Sequence, residues 1–223
     1  MKSGWLPDSG SIFIVIGGMD MIQDIHAGTI PNMEVLSGKW KLDLLYRLTS
    51  GCVRWSILTH SIPDAAPNVL TRQLRYLEND GLVRRIVTAA HPPQVIEYTL
   101  SDQGQRLIPL LHELERWDAA YGKADRDAPD FSTCQRVISS RWMLSILSLL
   151  STPLRFGSIL EHIGNLSRGV LAAQLGDLRD MGLVSQKRYE VFPPRVEYSL
   201  SEKGRGLLEI LLPGAIIQSA KNA

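Results

Sequence analysis

The chain carries one pattern twice, and that repetition limits its fold more than any other feature. Residues 70–83 read LTRQLRYLENDGLV and residues 171–184 read LAAQLGDLRDMGLV. The match extends in both directions. Gly38-Lys39-Trp40 corresponds to Ser140-Arg141-Trp142, Arg54-Trp55 to Arg155-Phe156, and Pro92-Pro93-Gln94-Val95 to Pro193-Pro194-Arg195-Val196. Glu97-Tyr98-Thr99-Leu100-Ser101 returns as Glu197-Tyr198-Ser199-Leu200-Ser201, and Gly104 as Gly204. Trp142 follows Trp40 by 102 residues, Gly182 follows Gly81 by 101, and Glu197 follows Glu97 by 100, a drift that small loop changes explain. Internal self-similarity of this length marks a duplicated structural unit. The expected organisation is an N-terminal arm over residues 1–32, a first domain over 33–122, a linker over 123–130 and a second domain over 131–223. The linker reads GKADRDAP around its polar centre, a turn-rich composition.

Within each copy the local patterns agree. Trp40, Leu44, Leu45 and Leu48 fall on one face of a helix over 39–48, followed by a short helix over 55–61. The stretch IPDAAP at 62–67 reads as a turn, and a third helix over 68–79 stops at Gly81. Two β-rich runs, 82–88 and 95–100, flank a Pro-Pro tip and read as a hairpin. Ser101 then caps a closing helix. Helix, helix, turn, helix, hairpin, helix is the order of a winged helix-turn-helix. The fold class expected is α+β, mainly α: two tandem winged helix-turn-helix domains, each with a β-hairpin wing.

These residues together resemble the HxlR-type transcriptional regulators, relatives of the MarR-like winged helix proteins. The likeness rests on GKW, the Arg-Trp pair, LTRQLRYLENDGLV, PP-x-V and EYTLSDQG, spans residues 35–121, and returns with losses over 132–212. It implies a bacterial or archaeal DNA-binding regulator, usually a homodimer of single-domain chains. This chain departs by holding two domains. It also lacks a cysteine ahead of GKW, where many members keep a redox-sensing thiol; Cys134 precedes the second copy's equivalent but sits closer to it than usual. By the same resemblance the terminal helices, 102–121 and 202–212, serve dimerisation. Leu107, Leu110, Leu111, Leu114 and Trp117 have the spacing either for that or for covering their own domain.

The two copies of the third helix differ in one respect. Leu70, Leu74 and Leu77 share a stripe, as do Leu171, Leu175 and Leu178, because residues three and four apart are neighbours on a helix. Opposite the first stripe lie Asn68, Arg72, Arg75 and Asn79; opposite the second lie Gly169, Ala173, Gly176 and Asp180. Arginine can bond a guanine edge in bidentate fashion and asparagine an adenine edge, so the first row has the chemistry for major-groove reading. Gln73 and Tyr76 flank the stripe. The residues expected to meet DNA are Asn68, Thr71, Arg72, Gln73 and Arg75 on the first helix and Arg84 and Arg85 on the first wing. Arg168, Lys187 and Arg188 form the second copy's residual contact set, binding phosphate and setting affinity rather than sequence.

The rest of the composition narrows the alternatives. The chain has 223 residues, 24 Lys and Arg against 23 Asp and Glu, so no global basic excess announces nucleic acid. Cys52 and Cys134 fit no metal-ligand spacing, and the five histidines are scattered, so no metal or cofactor is expected. No nucleophilic triad order, Walker loop or dinucleotide fingerprint stands out, so an enzyme is not expected. The unbroken apolar run at 12–16 is far short of the roughly 20 residues a membrane span needs, which suggests a cytoplasmic protein with no membrane partner. Met19, Met21 and Met33 are alternative starts. The function expected is a sequence-specific regulator, a repressor, that reads double-stranded DNA through its first domain. It would act either as an intramolecular pseudo-dimer or as a homodimer through the first copies. The rival is a protein-interaction or ligand-sensing module, and a small-molecule effector would fit either.

Overall fold

The computed structural model describes residues 33–87, 95–122, 129–190, 192 and 195–212. The N-terminal arm with its apolar run and the alternative starts Met19 and Met21, the centre of the linker, His91 and the two Pro-Pro tips lie outside the described residues.

The first copy opens with a 3-10 turn at Met33–Leu36, then α1 (Lys41–Arg47), a second 3-10 turn at Leu48–Ser50, β1 (Val53–Arg54), α2 (Trp55–Ser61) and α3 (Pro67–Asn79). It continues through β2 (Val83–Val87), β3 (Ile96–Leu100), α4 (Asp102–Gln105) and α5 (Ile108–Tyr121). The second copy opens with a regular helix, α6 (Ser132–Ser139), and follows with α7 (Met143–Leu149), β4 (Leu154–Arg155), α8 (Phe156–Ile163) and α9 (Arg168–Asp180). It closes with β5 (Val184–Tyr189), β6 (Arg195–Leu200) and α10 (Glu202–Leu211). The fold is mainly helical with two small antiparallel sheets, ordered β1-β3-β2 and β4-β6-β5. Val83 pairs with Leu100 in one sheet and Val184 with Leu200 in the other.

The shared motifs have structural reasons. Gly81 and Gly182, at φ of 73° and 72°, end α3 and α9 in the left-handed region that a residue with a Cβ enters at a cost. The next amide closes each end: Leu82 N–H donates to the Leu77 carbonyl, and Leu183 N–H to the Leu178 carbonyl, both at 2.9 Å. Ser101 and Ser201 then cap α4 and α10, each hydroxyl accepting from the glycine three residues on at 3.0 Å. A Cβ on Gly104 or Gly204 would stand 2.1 or 2.0 Å from the carbonyl oxygen of Leu82 or Leu183, so backbone contact holds this corner in both copies.

Three expectations need revision. The hairpins are three-stranded sheets, because the two-residue strands β1 and β4 add to β3 and β6 ahead of α2 and α8. The helix expected over 39–48 begins only at Lys41, since Gly38 (φ 126°) and Trp40 (φ 77°) take left-handed conformations; Trp142 does not, at φ −115°. The closing helix of the first copy is broken at Arg106-Leu107. Pro109 in the first turn of α5 cannot donate to the carbonyl four residues back. The second copy has no proline there, and α10 is unbroken.

The copies are packed on each other. Their buried apolar side chains form one continuous cluster, with Trp40 and Trp142 half-buried against it. Helices α5 and α10 meet where Gly206 leaves room: a Cβ there would lie 3.4 Å from Trp117 Cδ1. Trp117 Nε1 donates to the Lys203 carbonyl at 3.0 Å, and the Lys203 ammonium sits 5.4 Å from the indole centroid. Leu107, Leu111, Leu114 and Trp117 are buried, so α5 covers its own domain and the other copy at once. On the far side α6 lies against the 33–36 turn. The buried Gln135 donates to the Leu36 carbonyl (2.7 Å) and accepts from Leu42 N–H (3.3 Å). Gly38 N–H donates to Ser139 Oγ at 3.2 Å, and Tyr46 meets Phe131 edge to face at 5.4 Å.

Candidate nucleic-acid interface

Helix α3 starts with Pro67 at its first position, where a missing N–H costs nothing. It buries Leu70, Leu74 and Leu77 completely. Three fully buried leucines fix the rotation of the helix, which places the opposite row outward. Asn68, Thr71, Arg72, Arg75 and Asn79 are all exposed. Thr71 Oγ1 donates to the Pro67 carbonyl at 2.8 Å, leaving the hydroxyl as an acceptor. Among the described residues neither Arg72 nor Arg75 has an ion-pair or hydrogen-bond partner, so both guanidinium forks face solvent uncommitted. Tyr76, 47% exposed, extends the row toward the domain body.

Gln73 does not belong to that row. It is only 8% exposed, and its Oε1 is buried without a hydrogen-bond partner among the described residues. The position is three residues after Leu70 and four before Leu77, which puts it inside the stripe. Its twin Gln174 accepts from Ser140 Oγ at 2.9 Å; the first copy has Gly38 in place of that serine.

The wing cations divide. Successive strand residues face opposite sides, so Arg84 and Arg85 on β2 cannot act as one pair. Arg84 bonds Asp102 at 3.0 Å in an exposed ion pair, a contact worth little in water, while Arg85 is exposed with no partner among the described residues.

On α9 the same leucine stripe is buried, but the outward row is bare. A Cβ on Gly169 or Gly176 would meet nothing within 4 Å. Arg179 turns to Gln186 (3.3 Å) and Asp180 (3.7 Å). Arg168 and Arg188 are exposed without partners among the described residues. Lys187 instead lies 5.0 Å over the Tyr189 ring, and Arg195 stacks on the same ring and bonds Glu197. Hydrogen bonds from Arg195 and Tyr189 hold the Glu197 carboxyl below the usual carboxylate range.

Neither cysteine is built for thiol chemistry. Burial, reinforced by the Asp118 carboxylate, pushes the Cys134 thiol up to about 12. Cys52 is exposed, yet desolvation and the Glu97 carboxylate, which its S–H contacts at 3.7 Å, raise it too. Both stay protonated at neutral pH, and the thiolate is the reactive form. His60 and His162 each place Nδ1 2.6 Å from a carbonyl four residues back, a helix contact. Among the described residues no group of three or more His, Cys, Asp and Glu side chains could hold a metal, and no helix is long and apolar enough to cross a membrane.

Known proteins are similar to this chain over less than half of its length. The HTH-type transcriptional regulator YdzF of Bacillus subtilis is 38% identical over 93 residues, covering 40% of this chain and 83% of that protein. YtcD of the same organism is 45% identical over 87 residues, 39% of this chain and 68% of its own. An HTH-type transcriptional regulator of Methanothermobacter thermautotrophicus is 41% identical over 106 residues, 47% of this chain and 80% of its own. The solved structure of the redox regulator HypR in its reduced form aligns at 33% identity over 41% of this chain and 90% of its own, with a TM-score of 0.39. The family model described as HxlR-like helix-turn-helix matches residues 35–126 and again residues 137–216. The chain therefore belongs to the HxlR-like helix-turn-helix family, whose members are transcriptional regulators rather than enzymes, and it carries the family's domain twice.

Proposed function

We propose that this chain is a sequence-specific DNA-binding repressor of the cytoplasm, and that one chain does the work of a dimer. Its units span residues 33–122 and 131–223, joined by 123–130. They pair through α5 with α10 and through α6 with the 33–36 turn. Asn68, Thr71, Arg72 and Arg75 read base edges in the major groove, and Arg85 grips phosphate. Arg84 joins it when phosphate displaces Asp102. Arg168 and Arg188 hold the backbone on the second side, with Lys187 beside its tyrosine as a weaker contact. Occupancy of a promoter then blocks transcription. The observation that carries this reading is the pair of exposed, uncommitted guanidinium groups on α3, set against alanine and glycine at the same places on α9.

Such a pseudo-dimer favours an asymmetric operator, one half read and the other merely held. Footprinting on a fragment selected from genomic DNA tests this. A short, lopsided footprint is the expected result. A long symmetric footprint with half-sites about 34–36 Å apart would show two chains pairing through their first copies instead.

A second reading concerns the C-terminal copy alone. The bare face of α9, with Val170 41% exposed beside Ala173, suits a protein partner or the frame of a ligand sensor better than a duplex. Salt separates the two, because DNA affinity falls steeply with salt in proportion to the phosphates neutralised. If Arg168→Ala and Arg188→Ala leave the salt slope unchanged, the second copy does not grip DNA.

A further inference from the structure

Lys41 is the one lysine buried among the described residues, at 6% exposure. A charge is rarely taken out of water without partners, and this one has three. Its Nζ donates to the Val35 carbonyl at 2.7 Å. It pairs with Asp80 at 3.4 Å, just past the end of α3, and stands 5.8 Å over the ring of Tyr76 on α3. Val35 belongs to the 33–36 turn that Gln135 of the second copy holds through Leu36. A continuous series of contacts thus runs from α6 through the turn and Lys41 to the C-terminal half of α3, next to Arg75.

The second copy lacks this device. Met143 and Met181 occupy the places of Lys41 and Asp80, with Met143 buried at 2% exposure. The buried ion pair therefore accompanies the polar outer row; where that row is bare two methionines take its place, and α9 is tied to α6 by a more exposed pair, Arg136 with Asp177, the twin of Tyr76, at 2.9 Å. Met143 also shows that the architecture accepts a methionine at this point.

We infer that Lys41 is a positioning residue, through which the second copy sets the orientation of the reading face of the first. The inference rests on α3 being the reader. Lys41 touches no base in this arrangement; it aligns Tyr76 and Asp80, and so the turn of helix that carries Arg75. In the second copy no buried cation steers that turn, and the tie from α6 to α9 is the solvent-screened Arg136–Asp177 pair.

The test uses the full chain and a genomic fragment that it selects, with an unrelated duplex of equal length as control. Lys41→Met should lower affinity for the selected fragment roughly two- to thirty-fold, the span that substitutions along a contact network produce, and leave the unrelated duplex unaffected. Asp80→Asn, at a partly solvated partner, keeps the question answerable if Lys41→Met folds poorly, and should lose discrimination in the same direction. Gln135→Met should do likewise although it lies in the other copy. Combined with Lys41→Met it should cost no more than the larger single loss, since both interrupt one series of contacts. Losses that multiply in the double variant, or full discrimination by both Lys41→Met and Asp80→Asn, overturn the inference. If Arg75→Ala weakens binding while those variants do not, only the inference fails. If Arg75→Ala is also silent, the reading of α3 fails and takes the inference with it.

Discussion

Helices α3 and α9 are thirteen residues each, built on the same three buried leucines and closed by the same glycine. What they bury is nearly identical, and what they expose has little in common. The contrast has an energetic basis. Truncating a buried leucine creates a cavity and costs about 2–5 kcal/mol, whereas an exposed helix position usually changes stability by within about 0.5 kcal/mol. Fold therefore constrains the inner stripe of both helices equally. The outer row is constrained only by what it touches beyond the domain. The two copies teach which residues serve packing and which serve recognition, within a single chain.

The largest effects should strike the shared half. Leu74→Ala and Leu175→Ala should each lower unfolding free energy by about 2–5 kcal/mol in chemical denaturation. Because the two cores are continuous, each should shift the transition of the whole chain. A copy that tolerates its truncation would break the equivalence of the stripes.

The outer row comes next. Arg72→Ala should cost about 1–3 kcal/mol in binding to a selected fragment, while replacing its twin, Ala173→Ser, should leave binding unchanged in the same titration. Equal effects would erase the asymmetry between the copies.

A third contrast concerns Asp43, whose twin is Ser145. Burial first, and the Asp130 carboxylate at the end of the linker, raise the Asp43 carboxyl from 3.8 to about 6, against the opposing pull of its backbone hydrogen bond and Arg47. The native state then holds more protons than the unfolded chain between these values, so stability falls as pH rises from about 4 to 6 and levels off above. Asp43→Asn should remove that slope and stabilise the protein at pH 7 by on the order of 1–2 kcal/mol. Unfolding curves at pH 4.5 and 7 check the sign.

The smallest effect sharpens the view of α9. Gly176 lies mid-helix with open space around it, so Gly176→Ala should stabilise by about 0.5–1 kcal/mol without altering DNA binding. A change in binding would mean that this face makes a contact after all.

Local patterns were enough to anticipate the helices, the turn before α3, the wings and the buried leucines, because each depends on neighbours within four residues or on the two-residue alternation of a strand. They were also enough to orient Arg72 and Arg75, since the leucine stripe fixes the opposite face. The polarity of Gln73 suggests a reader, but its spacing to Leu70 and Leu77 puts it within the stripe, and packing buries it there. The divided roles of Arg84 and Arg85 follow from strand alternation, yet the grip of Asp102 on Arg84 required knowing where α4 begins.

What escaped the linear reading were contacts between distant segments. The Gln135 amide reaches Leu36 and Leu42 across 99 and 93 residues, and the Lys41–Asp80 pair spans 39. Periodicity carries no information about such pairings. Nor does it reveal a two-residue strand, whose only support is the neighbour it bonds.

From its residues alone this protein is a duplicated winged helix with a cationic outer face on one helix and a bare one on its twin. Side-chain type and helical spacing determine that much, because each face is set by positions three and four apart. The folding of the two copies onto one core, and the link from that seam to the reading helix, were decided only in three dimensions. They depend on buried polar groups finding partners far along the chain, which close packing enforces and local sequence cannot specify.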